Sequence, residues 1–469
     1  MDDLEWIFSL SKTCDNTRTG CMANVSAANS PTTKVEDKNF SHLMMIIVFG
    51  IFATTLPQPQ LLGKLSITHL LKDNLGLPAQ SVAGFFFLCG IAWYFKPLAG
   101  ILTDAFPFMG TRRRNYMLFS AALSAVSWIG TFFLWKVFGS GANANHTLAF
   151  RALLIGSIVI NTFMVMASTV TGAFLVEAGQ SYGATGRFTS TRMFIQNICA
   201  IINGYAGGLL ASVGFLWACG ANALLVFSLF PITYIFLKEK KRRETNSVAL
   251  KNAKTQLATI GKSKTLWWGL VFIFLFYFAP GLNTLQIFRQ TNELGFSLKF
   301  VGLLGSYAGV AALASSAVYA VLVKKFSLRT MLLIGIGISG LIAFLYLPGF
   351  YTDSKRAVFV ECANGLAYTL AEIALMDLAA RATPVGCEGL GYSLILSFRN
   401  IALLGADFLG SYFHDTMHVP FNVMVMINGG TSLFVLILLP LLPATIMRSK
   451  DKAIPSEPDP ELRAAEDDI

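Results

Sequence analysis

Charge is what this chain lacks. Only 13% of its 469 residues are Asp, Glu, Lys or Arg, about half of the ~25% carried by an ordinary soluble domain. A water-facing surface needs charge, so a globular enzyme of this size is excluded. Nucleotide hydrolysis is excluded as well. No Gly-x-x-x-x-Gly-Lys-Ser/Thr segment is present, and the longest polar interruption, the 27 residues 238–264, is too short to form a nucleotide-binding domain. No His-Glu-x-x-His helix or Gly-x-Ser-x-Gly turn occurs. The seven cysteines make neither a disulfide framework nor a zinc site. Cys89, Cys199, Cys219 and Cys362 lie in apolar runs, and Cys14 and Cys21 have no second pair. No cofactor or metal is expected. The acidic opening Met1-Asp-Asp-Leu-Glu5 is unlike a signal or transit peptide.

What is present is apolar surface: 54% hydrophobic residues and a mean hydropathy of +0.59. Runs of roughly 20 apolar residues recur, each long enough to cross a ~30 Å hydrocarbon core as a helix. Twelve spans are expected, near 43–66, 80–103, 115–137, 149–175, 190–211, 215–237, 266–289, 299–323, 330–348, 356–380, 388–412 and 421–445. The chain then divides into a polar tail (1–40), a six-helix half (41–237), a linker (238–264), a second six-helix half (265–446) and a second tail (447–469). Both tails read as flexible. The net charge of +10 does not indicate nucleic acid. Its basic residues gather beside spans, where they set orientation and meet anionic lipid. Arg112, Arg113, Arg114, Arg187, the 238–264 cluster, Lys324, Lys325 and Arg329 all follow even-numbered spans. The positive-inside rule therefore places those loops and both termini in the cytoplasm, in an inner or plasma membrane.

The halves repeat one another. Asp73-Asn-Leu-Gly76 precedes span 2 as Asn292-Glu-Leu-Gly295 precedes span 8. Glu177, Asn197 and Gly207-Gly208 along spans 4 and 5 match Asp377, Asn400 and Gly410-Ser411 along spans 10 and 11. Parallel six-helix repeats related by an axis along the membrane normal are the halves of a major facilitator fold. The expected fold is therefore an all-α polytopic membrane protein with twelve transmembrane helices in two pseudo-symmetric halves.

In such a fold the solute path runs between the halves, so ionisable residues inside spans are functional candidates. Arg399, mid-span 11, suits bidentate capture of a carboxylate. Asp407, eight residues on, is its partner or a proton carrier. Glu372 in span 10 is the first candidate for proton coupling, because burial raises a carboxyl pKa. Lys96 either faces the cavity or snorkels to the headgroups, and snorkelling is the favoured reading. Around the midpoint of span 1, Pro57 and Pro59 bend the helix and free backbone carbonyls, with Gln58 and Gln60 as amide partners for a heterocycle. Asn161, Asn283, Gln286 and Asn400 are further polar candidates, and Tyr368 is a candidate stacking residue. Asp104, Arg112, Arg113, Arg114, Glu177, Asp377 and Arg381, at the cytoplasmic ends of spans, are assigned to a salt-bridged inner gate.

The Gly100-Ile-Leu-Thr-Asp104 pattern, followed by Gly110 and Arg112-Arg-Arg114 between two spans, is similar to the gate hairpin of major facilitators. The chain as a whole resembles the folate–biopterin transporter family. The resemblance rests on Leu71-Lys-Asp-Asn-Leu-Gly-Leu-Pro-Ala-Gln80, on Lys96-Pro-Leu-Ala-Gly-Ile-Leu-Thr-Asp104 with Phe106-Pro-Phe108, on Thr291-Asn-Glu-Leu-Gly-Phe-Ser297, and on Ala379-Ala-Arg-Ala-Thr-Pro384. It implies proton-coupled movement of folates or pterins. Because some similar sequences carry S-adenosylmethionine, it does not fix the solute. Thr171 stands where the family usually has an acid, and Ala374-Leu-Met-Asp377 replaces a common proline-containing run.

The expected function is thus secondary active transport of a folate- or pterin-like solute, with protons and membrane lipid as partners and a monomer as the unit. Two alternatives remain open: a carrier of a cationic metabolite using Glu372, Glu361 and Asp407, and a non-transporting receptor on the same fold.

Overall fold

The computed structural model describes residues 44–443 except 112, 141–144, 182–184, 238–246, 324 and 385–386, together with 447. Side chains at 104, 176–181, 185–191, 193, 247–250, 252 and 388 are outside the described set. Among the described residues nine helices are long and apolar enough to cross a membrane, and three shorter apolar helices, Met44–Thr55, Ala79–Cys89 and Lys264–Tyr277, stand where spans 1, 2 and 7 are expected. Large apolar side chains such as Val137, Leu224, Leu341 and Ile437 are more than 60% exposed. A water-facing surface would not tolerate that many, whereas a lipid-facing one requires them.

The three short helices belong to broken spans, and each break has a local cause. In span 1 the chain leaves the helix at Thr55 and resumes at Lys64–His69. Pro57 and Pro59 lack N–H donors. The freed carbonyl of Pro57 accepts from Trp128 Nε1 at 3.2 Å, and the side-chain amide of Gln58 donates back to the Thr54 carbonyl at 2.7 Å. Span 2 is three pieces, Ala79–Cys89, Ile91–Tyr94 and Lys96–Ala105. The Cys89 carbonyl exposed by the first break accepts from Asn161 Nδ2 at 2.8 Å. Span 7 is broken between Lys264–Tyr277 and Asn283–Asn292, at Ala279-Pro280-Gly281. Irregular backbone at membrane depth must be satisfied by protein, and here spans 11 and 12 do it. Gly281 N–H donates to the Ala406 carbonyl at 2.8 Å. Asn428 Nδ2 donates to the Pro280 carbonyl at 2.9 Å. Gly281 lies so close to span 11 that an added Cβ would stand 2.8 Å from the Asp407 backbone.

Apolar cores form within each run of six spans. One joins Phe85, Trp128, Leu153 and Met164 of spans 2, 3 and 4. The largest joins Leu266, Met331, Ile336, Leu375 and Ile395 of spans 7, 9, 10 and 11. Between the runs, span 5 (Thr185–Val213) packs on span 8 (Leu298–Leu322) through small residues. Gly204 and Gly208 meet Gly302 and Gly305, and Ser306 Oγ donates to the Ile201 carbonyl at 2.8 Å. At that same end, opposite the linker, span 2 meets span 11 (Glu388–Asp415). Gln80 N–H donates to Asp415 Oδ2 at 2.7 Å and Thr416 Oγ1 to Gln80 Oε1 at 2.6 Å. This end of the bundle is closed. Within the linker, Ser247–Lys262 is helical and touches span 11, where the Cys387 thiol donates to the Gln256 carbonyl at 3.9 Å.

Between spans 2 and 3 the chain turns in a two-residue hairpin. Phe108 and Thr111 exchange backbone hydrogen bonds, and Met109 (φ 50°) and Gly110 (φ 85°) both occupy the left-handed region, as a type I′ turn demands. The Asn115 amide donates to the Phe108 and Met109 carbonyls and fixes the turn on span 3.

Candidate functional site

Spans 7, 10 and 11 bring the central charges together. Arg399 donates through Nη2 to Glu372 Oε1, so the partner of Arg399 is Glu372 rather than Asp407. Its Nη1 donates weakly to Asn400 Oδ1 at 3.4 Å, and its Cζ stands 4.6 Å from the centre of the Tyr277 ring. Tyr277 in turn meets Tyr368 edge to face at 6.4 Å. The pair is not sealed. Arg399 keeps 18% and Glu372 31% of its side-chain exposure, and Arg399 Nε has no acceptor. A guanidinium bound on one edge, with a free N–H on another, can take a second anion or exchange the first.

Two more cations lie on spans 2 and 5. Lys96 Nζ donates to Ser168 Oγ of span 4 at 3.3 Å and lies 5.3 Å from the Trp93 ring, so its amine turns into the bundle instead of snorkelling. Trp93 is fixed by donating Nε1 to Asn161 Oδ1 at 3.1 Å, and its carbonyl accepts from Ser397 Oγ of span 11 at 3.4 Å. Arg192 of span 5, half-buried, is within electrostatic reach of Lys96 and of Tyr392, which itself feels Arg399 and Glu372. Among the described residues neither Lys96 nor Arg192 has a carboxylate partner. Lys96 and Arg192 thus lie beside one another, and Tyr392 lies between Arg192 and the Arg399–Glu372 pair.

Asp407 does different work. It is 4% exposed and accepts from Thr284 N–H at 2.9 Å and Thr284 Oγ1 at 2.7 Å. Both donors lie in the first turn of Asn283–Asn292. The carboxylate therefore caps that half-helix from a neighbouring span and meets the positive end of its dipole.

The other expected site residues are spread more widely. Asn161 is fully buried and serves Trp93 and the span 2 break. Gln58 is half-buried at the span 1 break, and Gln60 Oε1 is buried without a donor. Asn283 is exposed, whereas Gln286 is 7% exposed, with no well-formed hydrogen bond to its amide and the Tyr351 hydroxyl in loose reach. Of the expected gate, Asp377 and Arg381 are brought together by two hydrogen bonds of 2.8 and 2.9 Å, and Tyr319 Oη adds a third contact to Asp377 at 3.4 Å. Arg113 lies over the Phe174 ring of span 4 at 5.2 Å, and Arg114 donates to the Tyr234 carbonyl of span 6 at 3.1 Å. Arg112 and the side chains of Asp104 and Glu177 are outside the described residues.

Sequence reasoning named Glu361 and Gln286 singly and missed the polar cluster they form with Arg289, Gln290, Tyr346 and Tyr351 near the closed end. Arg289 is 5% exposed and donates to the carbonyls of Tyr346 (3.3 Å) and Tyr351 (2.9 Å) and to Glu293 (3.2 Å). Beside it, Glu361 accepts from Tyr346 Oη at 2.9 Å, Tyr351 Oη at 3.1 Å and Gln290 Nε2 at 3.4 Å. The signal was present: Arg289 and Gln290 lie just past Gln286 on one half-helix, and Pro280-Gly281 interrupts an apolar run. The shallow surface groove between Phe95, Leu98, Leu102 and Met166 holds no ionisable group and is not part of either cluster.

Comparison with known proteins agrees with this architecture. The model of the BT1 family matches residues 59–457. The folate-biopterin transporter of Synechocystis sp. is 26% identical over 413 residues, which cover 83% of this chain and 80% of that protein. Folate transporter 1 of Plasmodium falciparum is 25% identical, over 82% of this chain and 76% of its own. Among solved structures, the inward open conformation of the xylose transporter XylE from E. coli superposes with a TM-score of 0.63 at 14% identity, covering 88% of this chain and 98% of that one. The nucleoside transporter NupG superposes with a TM-score of 0.61 at 14% identity, covering 86% and 99%. At such identities these two likenesses establish the major facilitator fold and nothing of the solute.

Proposed function

The chain belongs to the BT1 family, and from that premise we propose that it moves a folate- or pterin-like anion across a membrane by proton-coupled alternating access. The observation that carries this reading is the incompletely satisfied Arg399–Glu372 pair, with Lys96 and Arg192 as further cations that have no carboxylate partner among the described residues. A carrier for a cationic metabolite such as S-adenosylmethionine would want the opposite excess.

The coupling follows from partner exchange. At rest Glu372 is paired with Arg399. A solute carboxylate arriving at Arg399 displaces it. Glu372, now without its cation in a partly desolvated site, takes a proton from water, and solute and proton move together. Release on the far side reverses both steps. Asn400 beside Arg399 and the Tyr277–Tyr368 pair form the wall of this site; Lys96 and Arg192 attract the remaining negative charge. Asp407 is assigned to holding the broken span 7 rather than to carrying the proton.

The two six-helix halves, 41–237 and 265–446, would rock about this centre with 238–264 joining them. The closed end would face outward and the linker end the cytoplasm, with both termini inside and the monomer as the working unit. Asp104, Arg112, Arg113, Arg114, Glu177, Asp377 and Arg381 would form the inner gate.

Uptake of labelled folate, biopterin and S-adenosylmethionine into proteoliposomes, with and without an inward proton gradient, tests the reading. Gradient-stimulated folate uptake supports it. Uptake of S-adenosylmethionine alone overturns it.

A further inference from the structure

Span 10 is one uninterrupted helix, Ser354–Ala382, and two of its three acids, Glu361 and Glu372, share a face. Glu361 and Glu372 are eleven residues apart, close to three full turns, which separates them by about 16 Å along the axis. Tyr368 falls on the same stripe between them. One end of the stripe is the Arg399–Glu372 pair. The other end is the cluster around Glu361, which the transport scheme above does not use.

That cluster has an unusual inventory. Glu361 is half-buried, and every donor that reaches it is neutral: Tyr346 Oη, Tyr351 Oη and Gln290 Nε2. The nearby guanidinium of Arg289 is committed to two backbone carbonyls and to Glu293. A carboxylate in such a place normally acquires a cation or charge-assisted donors of good geometry, and the Gln290 contact at 3.4 Å is weak. One turn away on the same half-helix, Gln286 is more than nine-tenths buried, with no well-formed hydrogen bond to its amide nitrogen or oxygen and only the Tyr351 hydroxyl in loose reach. Buried polar atoms left unmatched mark a place where a ligand supplies the match. Two tyrosines complete the cluster. The Tyr346 and Tyr351 rings lie nearly parallel, 5.5 Å apart and 16° from coplanar.

We infer that Glu361, Gln286 and Gln290 form a subsite for the amino-pyrimidinone edge of a pteridine ring, one end of a solute whose carboxylates reach Arg399. That edge presents a ring N–H and an exocyclic amino group side by side. The pair matches the two oxygens of a carboxylate as a guanidinium does, but without a formal charge. The ring carbonyl and nitrogen acceptors next to it match the amide N–H groups of Gln286, while Gln290, donating to Tyr351 Oη at 2.7 Å and to Glu361, orients the two acceptors. An extended folate places its pteridine and its glutamate at its two ends, separated on the scale of the Glu361 to Glu372 spacing. The aromatic middle would lie along Tyr368 and Tyr277. The inference rests on the proposed folate-like solute and adds which end of it binds where.

Two fragments separate the ends. Biopterin has the pteridine and no carboxylate; p-aminobenzoylglutamate has the carboxylates and no pteridine. Binding of each to purified wild-type protein, Glu361→Gln and Arg399→Gln would be measured by ligand-induced thermal shift. The expected pattern is a double dissociation: Glu361→Gln weakens biopterin by at least tenfold and leaves p-aminobenzoylglutamate unchanged, and Arg399→Gln does the reverse. Gln286→Leu, which removes no charge, should weaken biopterin alone and guards against misfolding of the first variant. Wild-type affinity for biopterin in Glu361→Gln and Gln286→Leu overturns the subsite and leaves the transport reading intact. Equal loss of both fragments in Glu361→Gln overturns it too, as a structural role. Unchanged fragment binding with lost response to a proton gradient would make Glu361 a proton carrier instead, and the subsite would again fall. A wild-type protein that binds neither fragment overturns the subsite and the folate reading together.

Discussion

Arg289, buried, and Arg399, half-buried, are both guanidinia beside the broken seventh span, and they are satisfied in opposite ways. Arg289 is held on several sides, by two backbone carbonyls, a carboxylate, and the Tyr351 and Phe421 rings at 5.8 and 4.9 Å. Arg399 has one carboxylate, a weak contact to Asn400, one ring and an Nε with no acceptor. The same side chain therefore serves as a fixed strut in one place and as an exchangeable contact in the other. The acids divide likewise. Asp407 is closed off by two hydrogen bonds from one threonine, whereas Glu372 retains access to its surroundings. Deeper burial and fuller satisfaction together separate the structural residue from the working one.

Removing the working arginine should have the largest effect. Arg399→Gln is expected to lower folate uptake by about 10- to 100-fold, the value of a charge-assisted hydrogen bond of about 1.5–3 kcal/mol, with a modest change in melting temperature. Arg289→Gln inverts the pattern. Its two lost backbone contacts should lower stability by about 1–3 kcal/mol, read as a fall in melting temperature greater than that of Arg399→Gln. If the two variants behaved alike in both assays, the distinction drawn here would fail. Thr284→Ala removes one of the two donors to Asp407 and should cost about 1 kcal/mol. Proteolysis near residues 279–282 would rise if the stitch on span 7 loosens. The smallest effect belongs to Asp353, which caps span 10 by accepting from the Lys355 and Arg356 N–H groups at 2.9 and 3.1 Å. The Arg356 N–H holds its carboxyl below the ordinary range. A carboxyl lowered on folding stabilises above its unfolded value and loses that contribution as the pH falls through the lowered one. Asp353→Ala should therefore lower the melting temperature slightly at neutral pH and not at strongly acidic pH.

Much of the architecture was legible from residues 41–446, because apolar runs and basic loops report directly on the membrane. The span 1 break was visible in Pro57 and Pro59. The break in span 7 was not read, since one proline inside a long apolar run resembles an ordinary kink; its tertiary partners Ala406, Asp407 and Asn428 lie more than a hundred residues away. Arg399 was found by its depth, but its partner was not. Asp407 shares its helix, and periodicity cannot show that Glu372 on another span is nearer. The Glu361 cluster was harder still, since Tyr351 lies in a loop and Tyr346 at a helix end, where aromatics ordinarily serve as interface anchors. Lys96 was misjudged toward snorkelling, because nothing in its own segment announces Ser168.

The exchange at the Arg399–Glu372 pair is the centre of the account, and folate accumulation by Glu372→Gln proteoliposomes under an inward proton gradient tests it most directly. The account predicts that the wild type accumulates folate against its gradient, whereas Glu372→Gln still exchanges external for internal folate but ignores the proton gradient. Full gradient-driven accumulation by Glu372→Gln would contradict it.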